Sequence, residues 1–163
     1  MTAIVGAASS GVTLTVIDKA TSNGVMMISP SNTTPALTKY EDNGLYFRTA
    51  PSDALQGAVI SGNAIDAGLD KVAVIARQDA YGEGLLNAFV DDFTSSGGTV
   101  TSKLLYDPAA TSFEAEVSEI KAGAPQAVVV ISFDEGTKVL QEMIKQGVGP
   151  QDLQVYLVDG NTS

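Results

Sequence analysis

At 163 residues the chain is long enough for one domain of ordinary size or for pieces of two. Its 44% apolar content supports a packed core, and its 17% charged content is low for a disordered chain. A net charge of −10, with nine Lys and Arg scattered along the chain, excludes the basic stripe that a nucleic-acid partner requires.

Apolar runs alternate with segments of helical period, the pattern of a largely parallel sheet flanked by helices, and the fold class is therefore α/β. Ala3 to Gly6 reads as a strand end. A helix follows from about Ser10 to Ser22, with Val12, Val16, Ile17 and Ala20 on one face and Asn23-Gly24 as its stop. Val25 to Ser29 is a short buried strand, Pro30 to Gly44 a long polar loop with two prolines, and "LYFRTA" another strand. From Asp53 the alternation becomes regular. A helix runs to about Ala67, and a strand covers Val72 to Ala76. The next helix spans about Glu83 to Ser96, where Leu85, Leu86, Phe89, Val90 and Phe93 form a buried stripe and Gly97-Gly98 ends it. Val100 to Tyr106 is a strand, and Phe113 to Ala122 a helix using Phe113, Val117 and Ile120. The strand "AVVVIS" (Ala127 to Ser132) is too uniformly apolar to be exposed on either face. Thr137 to Gln146 is a helix with Val139, Leu140, Met143 and Ile144 inward, and Val155 to Val158 is the last strand. The chain starts almost inside a strand and stops at "VDGNTS", directly after one, where the alternation calls for a further helix. The expectation is a portion of a longer protein.

No apolar run reaches the roughly 18–20 residues that a membrane span needs, and no charged start followed by an apolar stretch marks a signal peptide. The absence of cysteine removes disulfides and thiolate chemistry. The absence of histidine removes the usual general base and the commonest metal ligand together.

These absences bear on "AASSGVTL", two serines and a glycine between a strand and a helix. A hydrolase places its nucleophile there in G-x-S-x-G, but alanine stands in the place of the first glycine, and no histidine exists to take the proton. An anion site on the helix N-terminus, with a serine hydroxyl added, needs less. The plain alternative is that Ser9 or Ser10 only caps the helix, worth about 1 kcal/mol. "YGEGLLN" after a strand raises a dinucleotide site, but the third glycine position holds Asn87. No P-loop is present. The carboxylates Asp91-Asp92 and Glu114, Glu116 and Glu119 read as solvated helix faces. Asp159 ends a strand at the edge where open α/β sheets bind ligands, and reads equally as a turn aspartate before glycine.

"SSGVTL", "GVMMISPSNTTPALT", "YFRTAPSDALQGA", "DKVAVIARQDAYGEGLLNAF", "GGTV…YDPAATSF" and "AVVVISFDEG" follow one another in an order and spacing that resemble one family. It is the type I solute-binding proteins of ABC transporters, branched-chain amino acid (leucine/isoleucine/valine) group. The resemblance implies two α/β lobes joined by crossover strands and closing on a small solute. Residues 1–52 would be the later part of the first lobe and residues 53–163 the earlier part of the second.

The family's solute contacts fall on residues of this chain one by one. Ser10 matches the serine that holds the solute carboxylate, and Ser31 and Thr33 match the loop after the second strand that holds the same solute. Tyr81 matches the tyrosine of the "YG" motif. A second-lobe aromatic falls on Phe133 if the alignment slips by one position and on Ser132 if it does not. The acid facing the solute ammonium falls on Asp159, shorter than the family's glutamate. The implied protein is no enzyme and uses no cofactor or metal. Its implied partners are a small solute, such as an amino acid, and the membrane permease of an ABC transporter. Its full-length form would be extracytoplasmic, periplasmic or a cell-surface lipoprotein. The alternatives are a sensory or regulatory module on the same fold, for an amide or an amino acid, and a serine- or nucleotide-dependent α/β enzyme.

Overall fold

The computed structural model describes residues 2–161; residues 1 and 162–163 of the two expected lobe segments lie outside this range. Two parallel sheets carry the chain. The first has the order β1-β2-β3, built from Ala3–Val5, Met26–Ser29 and Tyr46–Arg48. The second has the order β5-β4-β6-β7, built from Thr99–Tyr106, Lys71–Arg77, Ala127–Ile131 and Gln154–Leu157. Helices α1 (Ser10–Thr21), α2 (Asp53–Asp66), α3 (Ala80–Ser95), α4 (Glu114–Ala122) and α5 (Gly136–Gln146) connect them, as parallel pairing requires of its crossovers. Short 3₁₀ turns at Pro35–Lys39 and Asp159–Asn161 complete the described residues. None of these helices is long and apolar enough to cross a membrane.

The second sheet is covered on both faces, which is why β6 is apolar at every position. Val72, Val74, Ala76, Val129 and Ile131 point to Leu85, Leu86, Phe89 and Phe93 of α3. Their neighbours Ala73, Ile75, Val128 and Val130 point to Val117, Ile120, Val139 and Met143 of α4 and α5. This strict two-residue alternation sorts one continuous apolar run into two separate cores. Helix α2 lies close against α3 at Gly57, where an added methyl would sit 2.7 Å from the Phe89 nitrogen.

Four expectations are adjusted by this fold. Helix α3 starts at Ala80, not Glu83, because Asp79 caps it: Asp79 Oδ1 accepts from the Tyr81 and Gly82 amides at 3.0 and 2.9 Å. The polar loop after β2 contains a 3₁₀ turn begun by Pro35, whose fixed φ suits a first helical position. The inward face of α1 carries Thr13, Ile17, Ala20 and Thr21, while Val12 and Val16 are 52% and 38% exposed. Counting only aliphatic side chains found Ile17 and Ala20 but missed Thr13, which is buried with a hydrogen bond to Asn32. Ile144 likewise points outward on α5.

Candidate functional site

The site begins with the way two turns of the first sheet are tied together. Asn32, fully buried, donates its amide to the carbonyl oxygens of Ala7 and Ala8 at 3.0 and 2.8 Å. Its own oxygen accepts from Thr13 Oγ1 at 2.7 Å and from the Tyr46 hydroxyl at 3.0 Å. Ser29 Oγ donates to Ala7 O at 2.6 Å and accepts from the Asn32 main-chain N–H at 3.0 Å. Buried polar groups survive only when satisfied, and this cluster satisfies them by joining the turn after β1 to the turn after β2.

The joined turns present Ser10, Ser31 and Thr33. Ser9 occupies the cap position of α1 but makes no side-chain cap, and Ser10 Oγ instead accepts from the Thr33 and Thr34 amides at 3.4 Å each. A simple capping role for either serine is thereby set aside. Ser10 Oγ faces backbone donors, with no side-chain base among its hydrogen-bond partners among the described residues.

The opposite wall comes from the second sheet. Tyr81, in the first turn of α3, donates its hydroxyl to Asp159 Oδ1 at 2.5 Å and accepts from the Gly160 amide at 3.1 Å. Burial and the neighbouring carboxylate push the Tyr81 phenol up, so it stays protonated and acts as a donor. Its ring stacks on Phe133 with centroids 5.2 Å apart, and the Arg77 guanidinium lies over the Phe133 ring, 3.9 Å from its centroid. Arg77 is held by Asp79 at 2.6 Å and by Glu135 at 2.8 Å, and Glu135 also accepts from the Tyr106 hydroxyl at 2.9 Å.

Ser10, Ser31, Thr33, Tyr81, Phe133 and Asp159, with Ala8 and Gly160, line one cavity of about 90 Å³. Ser132 is buried and bonded to Asn161, so Phe133 is the one of the pair that faces this space. A second cavity of about 260 Å³ shares Ser31, Thr33 and Asp159 with the first and extends to Pro30, Ala50, Pro51, Asp53 and Gln56. The glycines of "YGEGL" line neither. A methyl on Gly82 would overlap the Arg77 carbonyl oxygen, and one on Gly84 would sit 2.8 Å from Thr34 Oγ1. They serve close packing. No cluster of three or more acidic side chains fit to hold a metal occurs among the described residues.

A family profile described as "Receptor family ligand binding region" matches residues 1–160. The chain belongs to this family. Among the relatives of this receptor-family region is the Leu/Ile/Val-binding protein homolog 3 of Brucella melitensis. It is 34% identical over 128 residues, which is 77% of this chain and 34% of that one. Another is BasB of Halobacterium salinarum, a chemotactic signal transduction system substrate-binding protein, 29% identical over 154 residues, 90% of this chain and 37% of that one. Among solved structures, the leucine binding protein LivK of Thermotoga maritima superposes with a TM-score of 0.86 at 26% identity, over 97% of this chain and 44% of that one. A solute-binding protein of an ABC transporter from R. palustris, in complex with 4-hydroxybenzoate, gives a TM-score of 0.88 at 18% identity, over 98% of this chain and 44% of that one. The receptor-family region thus has the type I periplasmic-binding-protein fold and spans less than half the length of each of these relatives. These relatives are binding proteins, not enzymes.

Sequence reasoning missed Asn32, Arg77, Glu135 and Asp53. The first had a signal: "SNTT" is polar yet lies between two strands at their ligand edge, and three of its residues, Asn32, Thr33 and Thr34, are buried. Arg77 and Glu135 had none, because they pair with each other across 58 residues of the chain.

Proposed function

We propose that this chain supplies part of the solute cleft of an extracytoplasmic ABC-transporter binding protein whose solute is an amino acid or a close relative. Residues 1–52 belong to one lobe and residues 53–163 to the other in this reading. The observation that carries it is the cavity that Ser10, Ser31 and Thr33 share with Tyr81, Phe133 and Asp159. Hydroxyl and backbone donors at one end suit a carboxylate, and the Tyr81–Asp159 pair at the other suits an ammonium. The 90 Å³ cavity is the smaller of the two and takes the polar end of the solute in this reading. The adjoining 260 Å³ cavity leaves space for a side chain.

An ammonium-bearing solute is favoured over a simple aromatic acid by charge. Asp159 lines both cavities, and a solute carrying only a carboxylate would meet that acid there without a cation of its own. Contacts from both lobes at once favour the closed molecule, because the open one lacks half of them. The relationship to a chemotactic substrate-binding protein supports a second reading, in which the same cleft reports the solute to a sensor.

A thermal-shift screen of the full-length protein tests the solute class. An amino acid should raise Tm by mass action on the folded state, whereas 4-hydroxybenzoate should not. A shift with the benzoate and none with any amino acid would overturn the reading.

A further inference from the structure

The group at this site that the proposed contacts leave unexplained is Asp53. It opens α2, and its main-chain amide donates to Thr33 O at 2.8 Å. The residue has no solvent exposure, and neither carboxyl oxygen has a hydrogen-bond partner among the described residues. Gln56 Oε1, one turn further along, is buried and unpartnered as well. A buried carboxyl without a donor is costly when charged. The Thr33 hydroxyl lies close enough to favour the charged form, without the alignment of a formed hydrogen bond.

The charged and titratable groups that face Asp53 are few. Asp159 and Tyr81 act on it from the second sheet's side, and Arg48 from β3. The Arg48 guanidinium is already engaged by Thr34 O at 2.9 Å and Thr38 Oγ1 at 2.6 Å. Burial, reinforced by Asp159, pushes the Asp53 carboxyl up to about 7, against the smaller opposite pull of Thr33 and Arg48.

We propose that Asp53 is a positioning residue of the solute site, protonated while the site is empty and releasing that proton to solvent when a cationic nitrogen lodges between Thr33 and Asp159. The inference rests on the amino-solute reading above. Its chemistry turns on which way the Thr33 hydroxyl points. A protonated Asp53 carries its own hydrogen and draws none from Thr33, which leaves the Thr33 hydrogen free to turn toward the place the ammonium would take. An ionised Asp53 only accepts, so Thr33 donates to it and turns a lone pair toward the ammonium. The arriving positive charge favours the second arrangement twice: it stabilises the carboxylate and it finds an acceptor in Thr33. No bond other than that to the proton changes.

Calorimetry of the full-length protein with leucine, or with the amino acid that gives the largest thermal shift, reads this directly. Titration at pH 6.5 in buffers of differing ionisation enthalpy should show release approaching one proton per solute, falling toward none at pH 8.5. Affinity should rise on the order of tenfold between pH 6 and pH 8. Asp53→Asn, which keeps the shape and removes the charge, should bind with both dependences lost. Solute binding with no proton release in the wild type would overturn the proposal, as would release that persists unchanged in Asp53→Asn. If that variant does not fold, the wild-type proton count decides. A protein that binds no amino acid sinks the solute reading itself, and this proposal with it. One that binds an amino acid without proton release sinks only this inference.

Discussion

The Tyr81 hydroxyl and the Asp159 carboxylate, 78 residues apart in the chain, meet at 2.5 Å on the edge of the proposed cleft. Tyr81 is rigidly set by its stack on Phe133, so it fixes the direction in which Asp159 points. Tyr81→Phe keeps the stack and removes the donor. Solute affinity should fall about 10- to 100-fold, the size of a lost charge-assisted hydrogen bond, while Tm stays nearly unchanged. Calorimetric titration and a melting curve on the same preparation check both halves.

Asn32→Ala removes four hydrogen bonds at once and deprives the Ala8 carbonyl and the Thr13 and Tyr46 hydroxyls of a partner in a buried place, while Ala7 O keeps only its bond from Ser29 Oγ. The expected loss of stability is about 2–4 kcal/mol, read as a lower denaturant midpoint at unchanged slope. Asn32→Asp should be no better, because a carboxylate cannot donate to the two carbonyls.

Gly57→Ala tests the approach of α2 to α3. The added methyl would fall 2.7 Å from the Phe89 nitrogen and 2.8 Å from the Ala88 carbonyl carbon, both backbone atoms that cannot swing aside. Although alanine is the better helix former, the variant should lose about 1–3 kcal/mol by overpacking. Gly62→Ala, on the same helix with open space around it, should gain instead, and thermal melts of the two variants give opposite signs.

The raised carboxyl of Asp53 makes stability depend on pH in a direction opposite to that of a salt-bridged acid. Its unfolded value is near 3.8 and its folded value about 7, so between these the folded chain holds one proton more than the unfolded chain. Stability contributed by this group is therefore complete below about pH 4 and is lost progressively as pH rises to about 7, with an upper bound of about 4 kcal/mol. Without solute, Asp53→Asn should flatten this slope and be the more stable protein at pH 8. Denaturant melts of both proteins from pH 5 to pH 8 check this; parallel curves would contradict it.

Much of the fold was legible because its elements obey simple periods. The uninterrupted apolar run of β6 announced burial on both faces, and the stripe of α3 announced the helix that covers one of them. The face of α1 was legible only in Ile17 and Ala20, because Thr13 is inward on account of a partner 19 residues away. The start of α3 was missed for a similar reason: the cap is a local signal, but Asp79 also binds Arg77, and "RQDAYG" reads as a loop when glycine is taken for a breaker. At the site, the six expected residues came from resemblance, and the structure gathers them on one cavity. What resemblance passed over was the support behind them, Asn32 and Arg77, whose importance lies in long-range geometry rather than in any motif.

Arg77 carries one last implication. Its guanidinium bonds to the residue that caps α3 and to Glu135 beyond β6, and lies over the Phe133 ring. In the proposed cleft the aromatic wall is therefore held by two neighbours, the Tyr81 ring and the Arg77 guanidinium. A bulkier solute would be refused sterically at that wall, and admitting one would take a smaller side chain at position 133 rather than a softer hinge.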